Sequence, residues 1–183
     1  MRLLRIVCFG VERGLGRKTQ SARNDRSTLE KRKRFMAIWQ FDLFIIPTTA
    51  ALPVWSGDGW EIPQWPAAST LDAQQVLLDA FGRPWLMMED WLVFGRENGT
   101  RIDLFYEEVN GLEMSLRLDS AASGPELDAV SAFAVKLDCL FFDPDTRMAF
   151  PPDRNSLAAA LAKSRAAAFS KDPRAFIAGI AIS

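Results

Sequence analysis

The chain of 183 residues contains no histidine. That absence excludes Ser-His-Asp and Cys-His catalysis, imidazole general bases and His-ligated metals in one step. An enzyme built on this sequence would have to work with carboxylates, Lys, Tyr, Ser or a cofactor. Cysteine is nearly as scarce. Cys8 and Cys139 imply no disulfide framework and are compatible with a reducing compartment. No apolar run reaches the roughly 18 residues that a membrane span needs. Arg2 and Arg5 beside Leu3–Leu4 and Ile6–Phe9 start like a signal peptide. The apolar stretch is short and stops at Glu12 and Arg13, so neither secretion nor a membrane anchor is expected.

What is present is distributed unevenly. Residues 1–35 carry 11 Lys+Arg and 3 Asp+Glu, and residues 36–183 carry 11 basic and 20 acidic groups. The net charge of −1 hides this break at Met36. The division is a basic, disordered extension over 1–35 and a single domain over 36–183. In the extension, Gly10, Gly14 and Gly16 lead to Arg17-Lys18-Thr19. A P-loop needs Gly-Lys-Ser/Thr, and Arg17 breaks that register. Lys31-Arg32-Lys33-Arg34 could contact phosphates. The segment Glu30–Arg34 can also be encoded almost wholly by purines, like a translated ribosome-binding site just before Met36. Met36 is therefore expected to be the natural initiator.

The body reads as alternating elements. Ile38–Ile46 is a strand candidate ended by Pro47. Residues 47–68, with Pro47, Pro53, Pro63, Pro66, Gly57 and Gly59, read as a long loop. Ser69 or Thr70 can cap a helix over Leu71–Phe81, stopped by Gly82 and Pro84. Three strands follow, Trp91–Phe94, Arg101–Glu107 and Leu112–Asp119, joined at Asn98-Gly99 and Asn110-Gly111. In the last, Leu112, Met114, Leu116 and Leu118 alternate with Glu113, Ser115, Arg117 and Asp119. Ser123-Gly124-Pro125-Glu126 starts a helix whose stripe runs Leu127, Val130, Ala134, Leu137, Phe141. Cys139 then reads as a small core residue of that helix. Short strands at Leu140–Phe142 and Met148–Phe150, a helix from Asn155 to Phe169 and an apolar tail complete the chain. The order implies an α+β fold, an antiparallel meander with helices mainly on one face.

The candidate sites are few. Trp55, Trp60 and Trp65 are spaced five apart in the Pro/Gly loop. Buried, they form a lid over the sheet; exposed, they anchor a protein partner or stack a small ligand. Glu89-Asp90, Glu107-Glu108 and Asp143-x-Asp145 are the carboxylate groups. Two-carboxylate hydrolysis would require them to converge. Asp143 opens like a calcium loop but lacks the later ligands, and reads as a turn. The acidic excess of the body repels nucleic acid and speeds encounter with a basic protein, and serves solubility in any case.

The body, residues 36 to about 176, resembles immunity proteins encoded beside bacterial polymorphic or type VI secreted toxins. The resemblance rests on Ile38-Trp39-Gln40-Phe41-Asp42-Leu43, on Glu113-Met114-Ser115-Leu116-Arg117-Leu118-Asp119, on Leu137-Asp138-Cys139-Leu140-Phe141, and on Leu157…Ser164…Phe169…Asp172-Pro173…Phe176. It implies a cytoplasmic, non-enzymatic protein, with no cofactor or metal, that binds one cognate toxin. The expected contacts are Asp103, Glu107, Glu113 and Asp119 on an open sheet face, with Trp55 and Trp60 as anchors. A homodimer stays open, as do a carboxylate-dependent hydrolase and a nucleic-acid binder using residues 2–34. Intact-mass measurement of the natively expressed protein is expected to show a chain starting at Met36. A mass that includes residues 1–35 refutes that start.

Overall fold

The computed structural model describes residues 38–57, 59–107 and 111–180. The basic extension, Glu108 and Asn110 lie outside these residues. In chain order the elements are strands β1 (Gln40–Pro47), β2 (Val54–Trp55) and β3 (Trp60–Glu61), then helix α1 (Ala67–Phe81). Strands β4 (Trp85–Met88), β5 (Trp91–Gly95), β6 (Arg101–Glu107) and β7 (Gly111–Asp119) follow. Helix α2 (Gly124–Lys136), strands β8 (Cys139–Asp143) and β9 (Met148–Phe150), and helices α3 (Arg154–Lys163), α4 (Arg165–Lys171) and α5 (Pro173–Ile180) close the fold.

The alternation in β7 sets the layering, because a strand turns successive side chains to opposite faces. Leu112, Met114, Leu116 and Leu118 are fully buried on one face. β5 to β7 form the expected meander, and β4 adds a further antiparallel strand at its edge. β1 then lies beside β7, and β8 and β9 extend the sheet beyond it, giving the order β4-β5-β6-β7-β1-β8-β9. All of these pairings are antiparallel. Leu43 opposes Leu116 and Ile45 opposes Phe141, so β1 continues the buried row. Ala73 and Leu77 of α1, Val130, Phe133 and Ala134 of α2, Leu157 of α3 and Ala166 of α4 join that row in one cluster. The helices therefore cover one face of the sheet, as the sequence implies.

Helix ends follow local chemistry. Glu126 folds back to accept from the Ser123 N–H at 2.9 Å. Asp153 accepts from Asn155 and Ser156 N–H groups at 3.0 and 2.9 Å at the start of α3. α1 departs from expectation. It begins at Ala67 behind Pro66, with no side-chain cap, so Ser69 and Thr70 lie inside its first turn. Gly82, at φ 80°, ends it.

Four expectations require correction. The stripe through Leu137 to Phe141 is not one helix. α2 stops at Lys136, Asp138 turns the chain at φ 51°, and Cys139–Asp143 pairs with β1. A run with two adjacent Phe gains more from burial on a sheet than from one further helical turn. Ser164 divides the expected Asn155–Phe169 helix by capping α4, its Oγ accepting from Ala167 N–H at 3.1 Å. The apolar tail is a helix, with Asp172 accepting from Ala175 N–H at 3.0 Å and Phe176 packed edge-on to Phe169. The loop over 47–68 contains the hairpin β2–β3, and β4 is a strand not foreseen.

Trp65 ties the loop to the sheet. It is 4% exposed, and its indole N–H donates to Ile45 O at 3.0 Å. Its backbone N–H donates to Leu112 O at 2.8 Å. Gly111 makes this approach practicable, since a Cβ there would stand 2.8 Å from Trp65 O. No helix among the described residues is long and apolar enough to cross a membrane. Trp65→Ala is expected to cost about 3–5 kcal/mol, read from urea unfolding.

Candidate interaction face

Opposite the helices, the sheet presents a second row of side chains. Because opposed residues in antiparallel strands share a face, Arg101, Arg117 and Asp42 form one line across β6, β7 and β1. Asp103, Ser115, Phe44 and Phe142 form the next line, from β6 to β8. The first line and Asp103 close into an ion cluster. Arg117 Nε lies 2.9 Å from Asp103 Oδ2 and 3.7 Å from Asp42 Oδ1. Arg101 Nε lies 3.2 Å from Asp103 Oδ1.

This cluster is buried. The side chain of Asp103 is 0% exposed, Arg101 7%, Arg117 13% and Asp42 15%. Two carboxylates and two guanidiniums make it neutral overall. That balance is what lets four charges leave water, since an unmatched buried charge costs several kcal/mol. Burial raises the Asp103 carboxyl above the ordinary range, against the pull of Arg117 and Arg101. Burial lowers Arg101, against the pull of Asp103. Asp42 is pushed up to about 6, first by burial and then by Asp103, with Arg117 opposing. Asp42 also borders a cleft of about 230 Å³ shared with Gln40, Asp145 and Arg165.

An aromatic platform stands beside the cluster. Phe44 and Phe142 stack with ring centroids 6.2 Å apart. Trp60 meets both edge-on, at 6.3 and 5.2 Å, and the Arg147 guanidinium lies 6.0 Å over the Trp60 ring. Trp55 packs against Trp60 at 5.6 Å and remains 44% exposed. On the other side of the cluster, Trp91 lies 4.5 Å from Phe105. The three loop tryptophans thus divide: Trp65 is core, Trp60 is a lid over the sheet, and Trp55 is displayed.

The residues expected as contacts fall into different places. Asp103 is enclosed, and the expectation that it is a surface acid is corrected: it is the hub of the ion cluster. Glu113 is half-buried on the same face, opposite Phe105. Asp119 ends β7, where its Oδ1 accepts from Ala121 N–H at 2.9 Å and shapes the turn. Glu107 ends β6 opposite Gly111; its side chain lies outside the described residues. Trp55 and Trp60 do share the face. The sequence reading missed Arg101, Arg117 and Asp42 as partners of Asp103. The signal was opposite charges at period two on strands that pair, Arg101-x-Asp103 against Arg117.

Among the described residues, the other carboxylate pairs named from the sequence do not meet one another. Glu89 and Asp90 sit exposed in the β4–β5 turn and line neither that cleft nor a larger one of about 520 Å³ around Phe81, Arg96 and Glu126. Asp143 is turned onto its own loop, accepting from Asp145 N–H at 2.9 Å and Thr146 Oγ1 at 2.8 Å. Among the described residues no three His, Cys, Asp or Glu side chains could hold a metal ion. Cys139 is fully buried, its thiol pushed up to about 12 by burial, and it donates to Ala134 O at 3.2 Å. No family model matches the chain, and neither does a curated protein or a solved structure.

Two outcomes follow. Asp103→Asn is expected to destabilise by about 3–5 kcal/mol in denaturant unfolding, because it strands Arg101 and Arg117. For Asp42 the folded state binds the proton more tightly than the unfolded chain, so its contribution is present below about pH 4 and lost as pH rises to about 6. Glu126, held low first by the Ser123 backbone N–H, has the opposite slope. Between pH 4 and 6, Asp42→Asn should therefore gain about 2–3 kcal/mol relative to the unsubstituted chain. Paired urea titrations across that range check it. A difference that does not change with pH refutes it.

Proposed function

We propose that this protein is a non-enzymatic, cytoplasmic immunity protein that binds and neutralises a cognate bacterial toxin through the sheet face opposite the helices. One observation carries the reading. Trp55 is a large exposed aromatic packed against Trp60, which itself rests on Phe44 and Phe142. A pre-positioned aromatic loses little side-chain freedom on binding, and such residues dominate the energy of protein interfaces. The acidic body, with 20 Asp+Glu against 11 Lys+Arg over residues 36–183, supports a basic partner. In this reading Trp55, Trp60 and Glu113 form the contact, with Glu107 and Asp119 at its rim. The buried cluster keeps β1, β6 and β7 in register beneath it. The resemblance of residues 36 to about 176 to immunity proteins points the same way.

The test is a pull-down of residues 36–183 from the source cell, with mass spectrometry of what copurifies. One stoichiometric partner, toxic when expressed alone and harmless when co-expressed, is the expected result. No partner, or one that is not toxic, rejects the reading. Once the partner is in hand, Trp55→Ala should weaken binding by about 2 kcal/mol or more while leaving thermal stability nearly unchanged. Raising salt should slow association more than it speeds dissociation.

A further inference from the structure

The two ends of the large sheet are unlike. β9 is three residues long and follows a charged turn, Asp145 to Arg147, the usual way of discouraging an added strand. β4 at the other end carries no charge from Pro84 to Met88. Among the described residues nothing pairs with its outer side. Leu86 is 62% exposed and Met88 66%. A bulge between them turns Leu86 toward the helix face, opposite Leu92, and Met88 toward the other face, opposite Trp91. A strand laid along this edge would thus bury apolar surface on both faces. α1 packs on the neighbouring β5 from the helix side and exposes Leu71 and Leu78.

The flanking charges choose the occupant. Arg83 precedes β4, and Glu89 and Asp90 follow it. All three are exposed, and none has an ion-pair partner among the described residues. The segment Arg83-Pro84-Trp85-Leu86-Met87-Met88-Glu89 is electrostatically self-complementary about Leu86. In antiparallel pairing with a second copy, Leu86 opposes Leu86, and each Arg83 opposes the second copy's Glu89. Parallel pairing would set Arg83 against Arg83 and Glu89 against Glu89. We infer that β4 is a twofold dimer edge, at which two copies join their sheets antiparallel with Leu86 on the axis. The inference does not depend on the toxin-binding reading, which uses the face and not the edge. Pro84 and the bulge limit the shared ladder to a few residues, well short of the ~1,600 Å² of a standard interface. The dimer is accordingly weak, with a Kd of about 10–100 μM.

Sedimentation velocity of the full chain, from about 5 to 300 μM, tests this. A concentration-dependent monomer–dimer equilibrium is expected. Arg83→Glu and Glu89→Arg should each weaken it by about tenfold, and the two together should restore it to within about threefold. Leu86→Lys should abolish the dimer. Thermal melting of each variant checks folding, and the solvent position of all three residues predicts little change. A monomer throughout overturns the inference. So does a dimer indifferent to Leu86→Lys, or a double variant as weak as the single ones.

Discussion

Everything in this structure depends on where β1 lies. The first strand of the described chain lies between β7 and β8 and is paired along both of its edges. Its inward residues Phe41, Leu43 and Ile45 join the helix-side core. Its outward residues supply Asp42 to the ion cluster and Phe44 to the aromatic platform. Its backbone accepts the Trp65 indole N–H at Ile45. A slip of one residue would exchange these two sets, placing Asp42 and Phe44 among the helices and Leu43 against Arg117. The charges of the cluster therefore make the register costly to change, and so does the apolar row behind them.

The cluster and the platform solve one problem in two ways. A sheet with helices on only one face leaves the other to water, to side chains or to a partner. Here the middle of that face is closed by long Arg side chains lying along it and joined to carboxylates. The flank toward β8 is closed by a two-stranded hairpin that lowers Trp60 onto two Phe rings. Trp55 is what remains outside. A buried ion cluster contributes less to stability than an apolar patch of the same size, but it defines geometry more strictly, because each guanidinium has one arrangement that satisfies its carboxylates.

The local signals in the sequence carried the antiparallel strands, the layering and the capped start of α2. Leu112 to Asp119 alternates without a fault, and Ser123 to Glu126 holds its own capping pattern. The failures have a common physical source. Period-two alternation says that Asp103 is not on the helix face; it does not say that the opposite face is exposed, and that depends on Arg101 and Arg117, which become neighbours only after pairing. Leu137 to Phe141 fits a helical stripe, and only the vacant side of β1 makes a strand the better outcome. Trp55, Trp60 and Trp65 are alike in spacing and neighbours, yet one donates to Ile45, one rests on Phe142 and one is displayed. Composition and spacing cannot distinguish tertiary fates of that kind.

The central position of β1 also has a consequence on the ribosome. Ile45 finds its partner in Phe141, nearly a hundred residues further along the chain. At a synthesis rate of about 5–20 residues per second, that interval is about 5–20 s. For most of that time neither neighbour of the segment Phe41–Ile46, one of the most apolar in the protein, has been made, since β7 and β8 both lie far downstream. The meander from β4 to β7 can assemble as it emerges, since each strand follows its partner closely. The sheet is then finished by capturing a strand made long before, and during that wait the nascent chain offers its greatest opening to chaperones and to aggregation.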